Sequence, residues 1–365
     1  MLVAGGPLPS CEPESFLDFF DVVVRGEGEQ TLQDLLAADG SDSALARIQG
    51  IAFRPRAPAS PSGSTVYTPE RPLARDLDQI PFPARHMLPN HSYIDYTRAK
   101  YGYSITTVMS TRGCPFRCEF CSNVVFGGSY RERSAANIVD EIQASLALGY
   151  ERISFGDDVF TMKKQRVLEV CREIQQRGLR FSWECLGRVD ALDYPTAAAM
   201  QQAGCTRIYF GIESGSDQIL EQMNKKITTD QARRAVDAAR SAGLQVGAFF
   251  ILCYPGDTDD TVLQTLHFAS QLRLDYLGLS VPYPLPGTAL YERTKDQITR
   301  DWRPDQSRFG GHVVIFEGGF SELKIWFALL KGRAQWEIQR RTGRLASVIL
   351  PIFEKPSDAL FRILR

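Results

Sequence analysis

Histidine is scarce in this chain, and a second pair of closely spaced cysteines is missing. Four histidines occur in 365 residues. The two nearest the densest cysteine stretch, His86 and His91, lie upstream of it. A structural zinc site, normally closed by a fourth Cys or His, therefore lacks an obvious last ligand. Long apolar runs are missing too. The most apolar stretch, Val246–Cys253, is far too short to span a bilayer and reads as a fully buried strand. The N-terminus shows no basic segment followed by an apolar one, so no signal peptide is expected. Net charge is only −1, which removes the electrostatic case for nucleic acid or an anionic membrane as an obligatory partner. Eight cysteines in a chain this long do not make a disulfide framework, and a reducing, cytoplasmic setting is expected. What remains is an ordinary globular composition, 44% hydrophobic and 23% charged, with room for one large domain and a smaller one.

Three of the cysteines are crowded together. Cys114, Cys118 and Cys121 stand at C-x₃-C-x₂-C spacing within the stretch 110–123. Thiolates on one loop suit an iron–sulfur cluster or zinc. Three ligands leave one corner of a four-iron cluster open to a small molecule. With the aromatic Phe120 just before the last cysteine, the pattern resembles the signature of the radical S-adenosylmethionine (SAM) family. The resemblance implies a [4Fe–4S] cluster on Cys114, Cys118 and Cys121. It also implies SAM as the second cofactor, bound at the open iron and cleaved to a 5′-deoxyadenosyl radical.

From Tyr103 onward the pattern is regular. Apolar strands are expected near Ile105–Ser110, Arg152–Gly156, Arg180–Glu184, Arg207–Gly211, Gln245–Leu252 and Tyr276–Val281. Helices of period 3.6 are expected near Ala135–Leu148, Lys164–Arg177, Tyr194–Ala203, Thr229–Ala242 and Thr258–Leu272. Gly149, Gly178, Gly204 and Gly243 follow four of them, as C-terminal caps do. Strict β-α alternation predicts a parallel sheet, and six cycles fall two short of a full (β/α)₈ barrel. The expected fold class is α/β, a partial (β/α)₆ TIM-like barrel, which is also what the family resemblance implies. In such barrels chemistry sits at the C-terminal ends of the strands, where the cysteine loop leaves the first one.

The resemblance continues at those strand ends. Gly156, Asp157 and Asp158 are similar to the family phrase that accepts hydrogen bonds from the methionine ammonium, although an Asp helix cap is a competing role. Arg188 corresponds to a residue near the methionine carboxylate, against a plain salt bridge with Asp190. Glu213 and Ser214 match residues beside the ribose and methionine. Lys225 is implied at a cofactor carboxylate, with a solvated lysine as the alternative. At the fifth strand end Cys253 stands where the family has glycine, and Asp257 is expected to cap the next helix. A methyl-carrying role for Cys253 is left open. Tyr254, Tyr283 and Tyr291 are expected at the rim, facing an organic substrate with apolar surface. Cys171, Cys185 and Cys205 read as small buried apolar residues.

Residues 1–39 resemble the last third of a cobalamin-binding domain, through "GG…P" at Gly5–Pro7 and the phrase from Asp21 to Glu29, and with a Pro-rich linker over Gly40–Pro83 they make up an expected segment 1–90. This predicts a remnant of a doubly wound domain, with its earlier strands and its Asp-x-His-x-x-Gly loop missing. Cobalamin is accordingly an open cofactor. The expectation is that the native start lies upstream, that the protein works without cobalamin, or that it is a decayed copy. Within this part, Phe16–Phe20 reads as a short helix, and Thr31 reads as the N-cap of a helix to Ala38. Ile48–Arg54 and Thr65–Tyr67 read as a hairpin across a Pro-rich linker. Residues 91–302 form the expected core barrel. Residues 303–365 form a helical extension in which Gly310–Gly319 covers the barrel edge and Ser321 starts a helix. The extension is basic, with Trp326, Phe327 and Trp336 interleaved, and either touches a lipid-like surface or packs on its own domain.

The functional expectation is a radical SAM enzyme acting on a C–H bond of a small organic substrate, most simply by methyl transfer. An electron donor such as ferredoxin or flavodoxin is implied. The alternatives are an oxidative cyclase or other rearrangement without cobalamin, a non-catalytic cluster-binding protein, and a zinc domain.

Overall fold

The computed structural model of the chain describes residues 1–56, 64–122, 125–298 and 319–364. It divides into two compact units. The smaller gathers Met1–Pro81, Arg112–Glu132 and Pro284–Arg293; the larger holds Phe82–Thr111, Arg133–Tyr283 and Thr294–Arg365.

In the smaller unit, β1 (Val3–Ala4) runs parallel to β2 (Val22–Val24). Strands β3 (Ile51–Phe53) and β4 (Val66–Tyr67) continue the sheet antiparallel, in the order β1-β2-β3-β4. The expected hairpin is therefore present. Side chains alternate across the sheet. Val22, Val24, Ile51 and Phe53 pack with Leu35 of α1 (Glu29–Ala37), while Val23 and Ala52 join Ala4 and Leu17 on the other face. Two expectations are corrected here. Helix α1 begins at Glu29 after Gly28, and Thr31 lies buried within its first turn, its hydroxyl accepting from Arg71 Nε at 2.8 Å. An acidic residue at the helix start suits the backbone dipole, and Arg71 occupies the hydroxyl that would have capped. Phe16–Phe20 is not a helix; short helices run over Pro7–Cys11 and Pro13–Phe16, each opened by a proline whose missing N–H costs nothing there.

In the larger unit, six parallel strands lie side by side in chain order. They are β5 (Ile105–Val108), β6 (Arg152–Phe155), β7 (Ser182–Gly187), β8 (Cys205–Glu213), β9 (Gln245–Ile251) and β10 (Tyr276–Ser280). Helices α3 (Ala135–Ala147), α4 (Lys164–Gln176), α5 (Tyr194–Gln202), α7 (Thr229–Ser241) and α8 (Asp259–Gln271) connect them, with a short α6 (Asp217–Gln222) after β8. Every expected strand and helix of this region is present, and the four helix-ending glycines have left-handed backbone. Helix α2 (Asn90–Tyr101), ahead of β5, was not anticipated. It buries only Ile94, so it carries no apolar stripe for periodicity to detect.

Alternate strand residues explain the layers. Ile153, Phe155, Trp183, Ile208, Phe210, Val246 and Phe250 face the helices and form one core with Ile138, Ile142 and Val167. Each large apolar side chain buried this way contributes about 1.5–3 kcal/mol. Trp183 also satisfies its indole N–H on the Ala203 carbonyl at 2.8 Å. The other sheet face is half-open. There the Tyr209 ring lies 5.7 Å from Phe249, and Tyr276 stands edge-on to both. Val246–Cys253 is thus not buried throughout, since Phe249 and Ile251 belong to this second face.

The chain ends in α9 (Glu322–Thr342) and α10 (Ala346–Ile363). Ser321 caps α9 by accepting from the Lys324 N–H. Ile325 and Ala328 of α9 join Leu263, Leu266 and Phe361 in a second core, and Trp336 donates to the Leu274 carbonyl at 3.0 Å. Helix α9 therefore packs its apolar face on its own unit. Among the described residues, no helix is long and apolar enough to cross a membrane. The segment expected to cover the barrel edge, 310–319, lies outside the described residues as far as 318.

Candidate functional site

The cysteine loop belongs to the smaller unit. Its neck is Gly113, at φ +80°, where a Cβ would stand 2.3 Å from the Ser129 carbonyl oxygen. Only glycine combines that backbone with that approach. Beyond it, the Cys121 N–H donates to the Cys118 carbonyl at 3.1 Å, a tight turn between the last two cysteines. Cys114 and Cys118 are half-buried and Cys121 is exposed. Phe120 between them is half-buried. Cys171, Cys185, Cys205 and Cys253 are all buried, as read for the first three. Burial pushes the Cys171 thiol up to about 12 and raises Cys185 and Cys253 strongly as well. A thiol so raised is a poor ligand or nucleophile. The accessible loop cysteines are the ones whose chemistry fits a soft metal cluster. Among the described residues, no three His, Cys, Asp or Glu side chains already converge on a metal position.

The larger unit holds the other candidates. Asp157 is 3% exposed, and its carboxylate accepts the backbone N–H of Ser110 at 2.6 Å and of Thr111 at 2.9 Å. The Ser110 hydroxyl donates to it as well, and Arg166 of α4 donates to that hydroxyl and to the Ser110 carbonyl. Burial raises the Asp157 carboxyl, with Arg166, Ser110 and Thr111 pulling the other way. Asp157 is thus a strut under the end of β5. It caps no helix: the next elements are a 3₁₀ turn over Phe160–Met162 and α4, and neither is capped by its side chain. Gly156 and Asp158 remain on the open side, and partial burial raises the Asp158 carboxyl.

Arg188, Lys225 and Glu213 are brought together. Arg188 forks onto Asp190 at 2.9 and 3.0 Å, the salt bridge the sequence offered as its bland role. It also donates to the Lys225 carbonyl at 3.1 Å. Lys225 is buried, which overturns the solvated alternative, and its Nζ stands 2.8 Å from Glu213 Oε1. Room for that pair comes from Gly211, where a Cβ would lie 2.4 Å from the Glu213 carboxylate. Glu213 itself has φ +71°, at the point where the β8–β9 register shifts. A non-glycine residue held there is strained and is kept by its surroundings. Ser214 is buried against α8, its hydroxyl 3.0 Å from that of Thr265.

Two further expectations are corrected at the fifth strand end. Thr258, not Asp257, caps α8, reciprocally with Thr261. Asp257 sits one residue earlier, accepting from the Tyr254 N–H at 2.8 Å and the Thr261 hydroxyl at 2.6 Å. Tyr254 is 1% exposed and so is core, not rim; Tyr283 and Tyr291 are half-buried. Cys253 has φ +60°, a backbone that favours the glycine usual in the resemblance. Ser110, Arg166 and Thr265 were not anticipated. Their long-range partners lie 47 to 56 positions away, which no local pattern reports.

The family described as the Radical SAM superfamily matches residues 108–269. An uncharacterized methyltransferase of Pyrococcus horikoshii is 36% identical over 310 residues, covering 83% of this chain and 65% of that protein. The anaerobic magnesium-protoporphyrin IX monomethyl ester cyclase of Rubrivivax gelatinosus is 29% identical over 288 residues, covering 77% and 50%. The chain thus spans about half to two thirds of the length of these relatives. The radical S-adenosylmethionine methyltransferase TsrM from Kitasatospora setae, solved with cobalamin and a [4Fe–4S] cluster, shares the fold. Its TM-score is 0.66 at 19% identity, over 85% of this chain and 60% of that one. The matched region includes the C-x₃-C-x-Phe-C loop and the strand ends carrying Asp157, Arg188 and Glu213, and residues 108–269 are a radical SAM domain.

Proposed function

We propose that this chain is the radical SAM portion of an enzyme that cleaves S-adenosylmethionine reductively and opens a C–H bond of a small organic substrate, transferring a methyl group. The observation that carries this reading is the set of three accessible thiols at Cys114, Cys118 and Cys121, inside the region matched by the family. Methyl transfer draws on the 36% identical relative named a methyltransferase.

Cys114, Cys118 and Cys121 would hold a [4Fe–4S] cluster, with Phe120 beside it. When bound, such a cluster supplies the electron that breaks the sulfonium C–S bond. Gly156 offers a backbone carbonyl and Asp158 a carboxylate for the methionine ammonium, suitable acceptors for a cation. Asp157 holds the root of the loop. Glu213 takes the ribose hydroxyls with Lys225 balancing its charge, Ser214 holds the backbone beneath, and Arg188 orients Lys225 from the cofactor side. In this reading, residues 91–302 are the core barrel, 303–365 its extension, and 1–90 the cobalamin-domain-like part. A ferredoxin or flavodoxin is the proposed electron donor. The smaller unit has no histidine and does not fit a histidine-ligated cobalt, so no step through cobalamin is derived.

A second reading, oxidative ring closure, is favoured by the relatives named as anaerobic cyclases. The test is anaerobic reconstitution with iron and sulfide, followed by reductant and SAM. Formation of 5′-deoxyadenosine is expected; a reconstituted cluster that yields none would end the enzyme reading. With methyl-labelled SAM, label in the product supports transfer, and label confined to methionine supports the cyclase.

A further inference from the structure

Within the phrase Arg25-Gly26-Glu27-Gly28-Glu29, the middle residue is buried and fully engaged. Glu27 sits on the turn between β2 and α1. It accepts from Arg112 Nη1 at 3.1 Å, from Arg131 Nη1 at 2.9 and 3.1 Å, and from the Ala74 N–H at 2.8 Å. All four residues belong to the smaller unit. Arg112 and Arg131 are the two roots of the loop that carries Cys114, Cys118 and Cys121. The Arg131 guanidinium goes on to the carbonyls of Ala74 and Phe126, at 2.8 and 3.0 Å. That of Arg112 stands 5.2 Å from the centre of the Phe126 ring and also pairs with Glu29. One carboxylate thus closes the loop at both ends, and the ring and carbonyl of Phe126, near its far end, are held by the same two guanidiniums.

Burial decides how much this matters. The three side chains are between 7% and 14% exposed, so water does not screen them. Removing the carboxylate would leave two guanidiniums and a backbone N–H without their shared acceptor, a severe change inside a protein. The loop is also held by the pairing of the short strands that contain Arg112 and Arg131, by the Leu290 N–H on the Glu119 carbonyl at 2.9 Å, and by Arg293 on Glu119 at 3.1 Å, a pair whose arginine is 41% exposed and which is correspondingly weak. Pinning both ends of a loop also removes most of the freedom its interior would otherwise have.

We propose that Glu27 is a positioning residue for the cluster: by clamping Arg112 and Arg131 it sets where the three cysteines stand, and so how firmly the iron is held. This rests on the cysteine loop being the cluster site. The test compares wild type with Glu27→Gln, which keeps size but loses the charge, after anaerobic reconstitution. The readouts are iron bound per chain, the rate at which a ferrous chelator strips it, and the paramagnetic spectrum of the reduced cluster with and without SAM. Iron loss about tenfold faster than wild type is expected, the equivalent of one charge-assisted hydrogen bond. A changed spectral response to SAM is expected with it, and neither change is expected in a control. The control is Glu70→Gln, which breaks the exposed pair with Arg25 in the same unit and leaves the loop alone. Should Glu27→Gln not fold, Arg112→Gln and Arg131→Gln each release one root and carry the same expectation. Wild-type iron retention in all folded clamp variants would overturn the proposal. Failure of the wild type itself to take up iron would instead overturn the reading of the loop as a cluster site.

Discussion

The carboxylate of Asp157 accepts the backbone N–H of Ser110 at 2.6 Å across 47 positions of sequence. One of the two adjacent carboxylates that resemble a cofactor-binding phrase is therefore committed to holding the end of β5, where the cysteine loop begins. Its neighbour Asp158 is the one that reaches outward. Burial separates their tasks: Asp157 is enclosed by Ser110 and Thr111, whereas Asp158 is exposed.

This division of labour predicts opposite behaviour for two neighbouring variants. Asp157→Ala should destabilise the fold by about 3–5 kcal/mol, because the Ser110 hydroxyl and two backbone N–H groups lose a buried acceptor and Arg166 loses a nearby opposite charge. Asp158→Asn should leave stability within about 0.5 kcal/mol, as for an ordinary exposed substitution, and weaken SAM binding to the reconstituted protein. Chemical denaturation and SAM titration separate the two. Equal stability loss in both variants would contradict the assignment of roles.

The Lys225–Glu213 pair should behave as a buried unit. Lys225→Met strands a carboxylate that is almost fully enclosed and should cost about 3–5 kcal/mol. Pairing it with Glu213→Gln removes the stranded charge and should recover most of that loss. A double-mutant cycle by urea unfolding measures the coupling, expected at about 1–3 kcal/mol. Additive effects would mean that the 2.8 Å contact carries no net energy.

Asp257 gives a pH signature. Burial pushes its carboxyl from 3.8 up to about 6, against the pull of Thr261 and the Tyr254 and Cys253 backbone. The folded chain thus holds this proton to a higher pH than the unfolded chain does. The associated stability is fully present below about pH 4 and is lost as pH rises through about 6. Asp257→Asn cannot ionise. The stability difference should therefore move in the variant's favour by up to about 2–3 kcal/mol across that window, and level off above it. Urea midpoints measured from pH 3.5 to 7.5 test this; a difference that stays flat with pH would remove the buried-carboxyl explanation.

Local chemistry explains which features were readable in advance. The six strands and five connecting helices announce themselves by period, and the glycines after four helices by the backbone they permit. The cysteine loop is legible because its three cysteines lie within eight residues. What failed locally was choosing between near-equivalents. Thr258 and Asp257 are both good cap residues, and the hydroxyl won because the Asp257 carboxylate was drawn to the Tyr254 N–H. Tyr254 looked like rim because it follows a strand end, yet the chain turns it into the core.

The order of its secondary elements and the crowding of three cysteines on one loop were therefore determined by this sequence alone, since both depend on residues a few positions apart. Tertiary structure decided which charged groups are spent. Asp157, Lys225 and Glu27 look alike on paper to any exposed acid or base. Each is buried against a partner at least a dozen positions away, and a charge taken out of water must be paired where the fold puts it. That long-range pairing separates residues that hold the loop from residues left free to meet a cofactor.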